Sequence, residues 1–197
     1  MKVQIFSDIH NDLKALEAAA SVPADLYICA GDLVSWGRGL PECGRVLQPL
    51  GAKLWVIPGN HETAEQIAAF CDKHGFRDLH EKTFEQGGYH FAGLGYSSPT
   101  PFNTPGEYSE EEIAAKLARF ADLSPLVLVC HAPPFGTPLD EGSPGRHFGS
   151  HAVREFLDRS APAHFFCGHI HEAAGKSVKL GPTAARNVGK RGFLLEL

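Results

Sequence analysis

Val3-Gln4-Ile5-Phe6-Ser7-Asp8-Ile9-His10 decides how this chain is read, because an apolar strand-like run ends directly on an aspartate and a histidine two residues apart. Four later runs end the same way. Leu26 to Ala30 leads into Gly31-Asp32, Lys53 to Ile57 into Gly59-Asn60-His61, Leu126 to Cys130 into His131, and His164 to Cys167 into Gly168-His169-Ile170-His171. Helical patterns lie between them. Leu13 and Leu16 are at helical spacing in the stretch from Asn11 to Ala20, and Ile67, Phe70 and Cys71 share one face from Thr63 to His74. Ser109 with Glu112 forms a capping box that predicts a helix to about Ala121, and Ser150 opens another carrying Val153, Phe156 and Leu157. Strands alternating with helices predict a layered α/β domain. In such layers, residues just past the strand carboxyl ends converge on one edge.

Outside the motifs, Gly87-Gly88 predicts a hairpin between Lys82 to Gln86 and Tyr89 to Leu94. A Gly-rich connection separates the second and third strands, and the tail from Lys176 to Leu197 reads as short strands separated by glycines. Two stretches read as loops rich in Pro, Gly and Ser: Ser97 to Glu107 and Ala132 to Gly149. The second begins directly after His131, which favours a functional reading. A length of 197 residues suits one domain, 1–197, able to bury its core without disulfides or a structural metal.

A formal net charge of -5 argues against a broad electrostatic platform for nucleic acid or an anionic membrane, so nucleic acid enters only as a substrate. Lys176, Lys179, Arg186, Lys190 and Arg191 could form a phosphate track, but a solvated sheet edge is the preferred reading. The start does not resemble a signal peptide, and no apolar run approaches the ~20 residues of a membrane span. Five cysteines without a CxxC pair suit a reducing compartment, and the expected location is cytoplasmic.

Singly, each motif residue has a plain structural reading. Asp8 or Asp32 could be a turn or cap residue, Asn60 a turn residue, and His131 a hydrogen-bonded structural histidine. His169 and His171, two residues apart around a turn, suit a metal pair better than packing. Together they resist the plain reading, since independent turn choices would not place His and Asp at every strand end. Two carboxylates, four imidazoles and one amide oxygen form a mixed N/O donor set without thiolates, suited to catalytic rather than structural ions. Two divalent cations against Asp8, Asp32 and a bridging hydroxide leave about +1 at the site, enough to attract an anionic phosphate to an acidic protein.

Asp-x-His, Gly-Asp, Gly-Asn-His-Glu, a later His and Gly-His-x-His, in this order from Asp8 to His171, resemble the calcineurin-like metallophosphoesterase family. The resemblance implies an αββα sandwich of two mixed β-sheets flanked by helices. It also implies two divalent or transition metal ions, Mn or Fe favoured and Zn compatible. Asp8, His10 and His171 would hold one, Asn60, His131 and His169 the other, and Asp32 would bridge them. His61 would be a catalytic residue beside the leaving oxygen. Two ions ~3.5–4 Å apart would generate a bridging hydroxide for in-line attack on phosphorus.

The implied activity is hydrolysis of phosphodiesters or small phosphate esters, cyclic nucleotides included. The alternatives are a phosphomonoesterase or protein phosphatase, a nuclease, or a non-catalytic scaffold. Gly168 to Glu172, Gly175 and Asn187-Val188-Gly189 look like the small bacterial and archaeal members, which usually carry Asn-Pro-Gly at the last position.

Arg146 and His147, in the loop after His131, are candidate phosphate contacts, and Phe135 a candidate surface for an organic group. Glu62 reads as a favourable carboxylate in the first helical turn in preference to a supporting partner of the site. His74, His80, His90 and His164 read as surface or core residues, and Cys29, Cys130 and Cys167 as packing groups in buried strands.

Overall fold

The computed structural model describes residues 1–197. Every strand expected ahead of a motif is present: β1 (Lys2–Phe6), β2 (Leu26–Cys29), β3 (Leu54–Val56), β7 (Leu126–Cys130) and β10 (His164–Cys167). Completing the sheets are β4 (Arg77–Asp78), β5 (Thr83–Gln86), β6 (Tyr89–Leu94), β11 (Ser177–Leu180), β12 (Thr183–Asn187) and β13 (Phe193–Glu196). One sheet has the order β13-β1-β2-β3-β4 and the other β11-β12-β10-β7-β6-β5. Both are mixed. The motif-bearing strands run parallel to their neighbours, while β13 on β1, β11 on β12 and β5 on β6 are antiparallel.

Alternation along the strands builds three apolar layers. Val3, Ile5, Leu26 and Ile28 from one sheet meet Phe91, Val127, Val129 and Phe166 from the other. On the outer face of the first sheet, Phe6, Tyr27 and Cys29 pack with α1 (Leu13–Ser21), α2 (Leu40–Leu47) and α3 (Ala64–His74). On the outer face of the second, Leu128, Cys130 and Phe165 pack with α4 (Glu110–Ala118) and α5 (His151–Ser160). The result is the αββα sandwich implied by the resemblance. No helix is long and apolar enough to cross a membrane.

Local chemistry fixes the helix starts. Asp12 caps α1 by accepting from Ala15 N–H, and Thr63 and Ser109 form reciprocal capping boxes with Gln66 and Glu112. Gly87 and Gly88 both have positive φ, as a tight β5–β6 turn requires. All five cysteines are buried and free.

Two stretches carry more structure than expected. The Gly-rich connection contains α2, started by Gly39 in the left-handed region and Pro41 in the first turn, with Cys43 and Leu47 buried. The loop from Ala132 to Gly149 contains a hairpin of β8 (Glu141–Ser143) and β9 (Arg146–His147). The basic tail follows the sheet-edge reading: Lys176 pairs with Glu141, Arg186 lies over the Phe193 ring and donates to Ser177, and Lys190 pairs with Asp12.

Candidate metal centre

The five strand ends meet at one edge of the sandwich. Ligand atoms of Asp8, His10 and His171 lie within 4.8 Å of one another, as do those of Asp32, His131 and His169, and those of His10, Asp32 and His61. The same Asp32 oxygen, Oδ2, is 3.5 Å from His10 Nε2 and 3.3 Å from His131 Nε2, so it faces both halves of the cluster. His10 Nε2 and His171 Nε2 are 3.0 Å apart, and Asn60 Oδ1 lies 3.0 Å from His131 Nε2 and 2.9 Å from His169 Nδ1.

The backbone is forced into uncommon shape to achieve this. Asp8, His10, Asp32 and His169 all have φ between 46° and 71°, a region sparsely used by residues with a Cβ and concentrated at functional sites. Two glycines make room. A Cβ on Gly31 would lie 2.7 Å from His131 Nδ1, and one on Gly168 would lie 2.6 Å from Asp8 Oδ2.

The polar partners of these residues orient them. His131, fully buried, donates from Nδ1 to the Ala30 carbonyl at 2.8 Å, which turns Nε2 toward the oxygens of Asn60 and Asp32. Burial opposes a charge on this imidazole, yet the facing Asp32 carboxylate raises it to about 9. Burial acts against ionisation of Asp32 as well, but His131, His10 and the His61 N–H hold that carboxyl well below the usual range. Burial lowers His10, and burial with His131 alongside lowers His169 to about 3, so both present neutral imidazoles. Lone pairs on nitrogen and oxygen therefore converge where a cation would satisfy them, and the raised proton affinity of His131 reports that demand. The donors fit two ions of the borderline divalent kind.

Asn60 is oriented from a distant loop. Its Nδ2 donates to Thr104 Oγ1 at 3.1 Å, and Thr104 in turn donates to Glu107 Oε1 at 2.5 Å, which directs Oδ1 into the cluster. Asp8 is braced by Ser7 Oγ and by the His169 N–H at 2.9 Å. Asn187 donates from Nδ2 to the carbonyls of Gly168 and Ile170, both at 3.0 Å, and so pins the turn carrying His169. Val188, standing where the resembling family has proline, donates its N–H to Cys167 O at 2.9 Å, a bond proline could not make.

Glu62 corrects the sequence reading. Helix α3 starts only at Ala64, and the fully buried Glu62 carboxylate accepts from the N–H groups of Asp32 (3.1 Å), Val34 (2.9 Å) and Gly59 (2.8 Å). It therefore clamps the Asp32 turn to the Gly59 turn from beneath. Burial, then the Asp32 charge, push its carboxyl up to about 8 against the pull of these donors.

His61 sits beside the cluster with its backbone N–H on Asp32 Oδ1 at 3.0 Å. Its Nδ1 accepts the Trp36 N–H at 3.2 Å, so the ring proton resides on Nε2. Arg146 and His147 are not among the residues lining the cavity above the cluster: Arg146 is exposed, and His147 Nδ1 is 2.7 Å from Asp140 Oδ1. Phe135 stacks on His151 at 3.9 Å instead of facing the cavity. That cavity measures about 590 Å³ and runs between residues 98–102 and residues 142–149. Phe102, Ser143, Phe148 and Glu172 line it together with His10, His61 and His171; of the first four, the sequence pointed only to Glu172, as the end of the Gly168 to Glu172 motif.

A family model described as calcineurin-like phosphoesterase matches residues 1–173. An uncharacterised protein of Methanocaldococcus jannaschii is 32% identical over 99% of this chain and 91% of its own length. The crystal structure of TT1561 of Thermus thermophilus superposes with a TM-score of 0.73 at 20% identity, covering 95% of this chain and 88% of that one. Phosphopantetheinyl hydrolase of Mycobacterium tuberculosis gives 0.67 at 18% identity, again covering 95% and 88%. These two superpositions share the fold. The family match goes further: the chain belongs to the calcineurin-like phosphoesterase family and is a metal-dependent phosphoesterase.

Proposed function

We propose that this calcineurin-like phosphoesterase, acting as one domain over residues 1–197, is a two-metal hydrolase that prefers phosphodiesters of small organic groups. In this reading Asp8, His10 and His171 hold one ion, Asn60, His131 and His169 the other, and Asp32 bridges them. Manganese or iron are the expected ions, with zinc compatible. Bound there, the two ions supply Lewis acidity toward the phosphoryl oxygens and a water made nucleophilic at neutral pH.

The observation that carries the reading is the pairing of Asp32 with both halves of the cluster while His61 stands beside it with its proton on Nε2. A diester expels an alkoxide, which needs a proton or a hydrogen bond as it leaves. His61 Nε2–H is placed to give that hydrogen bond, stabilising the charge on the leaving oxygen, and Trp36 N–H holds the ring in the required tautomer. Charge at the mouth supports a diester as well. No lysine or arginine lines the cavity, whereas Glu172 does, so the walls suit a phosphate carrying one negative charge better than a monoester dianion.

His61→Ala is expected to retain bound metal and lose roughly 10²–10⁴-fold in turnover on an alkyl diester. Unchanged turnover would remove His61 from the chemistry. Rates on paired aryl monoesters and diesters with Mn²⁺, Fe²⁺ and Zn²⁺ test the preference, and a strong monoesterase with negligible diesterase activity would overturn it.

A further inference from the structure

Large apolar side chains are exposed at three places in the chain: two line this cavity, and the third packs against His61 beside it. Phe102 is 72% exposed, Trp36 51% and Phe148 50%. Phe102 and Phe148 line the cavity from its two bounding loops, and the Trp36 ring packs edge-on to the His61 ring at 5.4 Å. A chain with 13 Phe and 2 Trp that buries the others deeply or partly leaves these exposed, two in the cavity lining and one against His61. Such clustering of exposed apolar surface marks a binding surface.

Two features show that the aromatics are held there by the fold. Trp36 has φ of +53°, an outlier for a bulky residue, and this conformation delivers its N–H to His61 while presenting the indole at the rim. Phe148 closes the hairpin loop that Asp140 organises by accepting from the N–H groups of Gly136, Thr137 and Gly149. No lysine or arginine in the lining offers a grip for a second phosphate, whereas Phe102 and Phe148 offer aromatic faces to the rest of the substrate.

Resting on the phosphoesterase reading, we propose that the organic group of the substrate is a planar aromatic ring of nucleobase size, held by Phe102 and Phe148 with Trp36 at the rim, on an ester bearing a single phosphate. Stacking is sequence-tolerant for bases because every base has a π face, and the cavity volume accommodates a mononucleotide. The phosphate lies over the cluster, and the ring is directed outward between residues 98–102 and 142–149.

The test compares adenosine 5′-monophosphate with ribose 5-phosphate, which carries the same phosphate without the base. Both are titrated into the Mn²⁺-loaded full chain in a Trp55→Phe background, so that the fluorescence is that of Trp36. Adenosine monophosphate is expected to bind about tenfold tighter and to quench Trp36, and the gap is expected to close in Phe102→Ala/Phe148→Ala. Equal affinities, or a preference unchanged in that double variant, would overturn the proposal. The two readings fail separately. Base-dependent binding without diester hydrolysis would sink the proposed activity alone, whereas hydrolysis without base preference would sink only the aromatic clamp.

Discussion

Thr104→Val removes one oxygen from the molecule and is expected to weaken only one of the two metal sites. The Thr104 hydroxyl accepts from Asn60 Nδ2 at 3.1 Å, and Asn60 is buried. With valine the amide nitrogen loses its partner, at a cost of about 1–3 kcal/mol for an unsatisfied buried donor. Rotation of the amide relieves that cost but turns NH₂ toward His131 and His169, where an acceptor is needed. The ion that Asn60, His131 and His169 are proposed to hold should then bind roughly 10–100-fold more weakly. Titration calorimetry of Mn²⁺ into the metal-free protein should show one weakened phase and one unchanged, and Thr104→Ser should restore the first. Two unchanged phases, or equal loss in both, would refute the chain of orientation from Glu107 through Thr104 to Asn60.

Glu62→Gln keeps the volume but places an NH₂ group against at least one of the three backbone donors that Glu62 satisfies, so a loss of about 1–3 kcal/mol is expected, with Tm falling roughly 2–4 °C per kcal/mol; an unchanged Tm in thermal denaturation would contradict the clamp. Loading should release protons at pH 7, because a cation must displace the proton that the raised His131 holds below about 9, whereas His10 and His169 are already neutral. Apparent affinity should therefore rise with pH up to about 9, and calorimetric heats that do not depend on the buffer's ionisation enthalpy would contradict this. Gly168→Ala drives a Cβ to 2.5 Å from Ser7 Oγ and 2.6 Å from Asp8 Oδ2, so circular-dichroism melts should show a loss of about 1–3 kcal/mol, accompanied by weaker binding at the Asp8 site.

The strand ends were legible because each motif is local: a short apolar run and the polar residues after it lie within ten positions. Parallel pairing then brings those ends to one edge, so Asp8 and His171, 163 positions apart, could be placed together from sequence. Glu62 was misread because two of its partners, Asp32 and Val34, are 30 and 28 residues away, while the nearby helix offered a plain local use for a carboxylate. Thr104 acts across 44 residues and carries no signal beyond its place in a long loop. Helix α2 did leave a trace, in Pro41 and the spacing of Cys43 and Leu47, but the surrounding glycines masked it. The aromatic wall was sought at Phe135, next to His131 in sequence, whereas the hairpin turns Phe148 into that position and stacks Phe135 on His151.

On the proposed assignment, Asp8, His10, Asp32, Asn60, His131, His169 and His171 together hold two ions that His61 serves in diester hydrolysis. Stepwise addition of Mn²⁺ to the metal-free chain, following bound metal and alkyl diester turnover in the same samples, tests it most directly. Turnover is expected to appear as the second ion binds, and His61→Ala to take up both ions while remaining nearly inert. Full turnover with one ion per chain, or two bound ions with no diester hydrolysis, would contradict it.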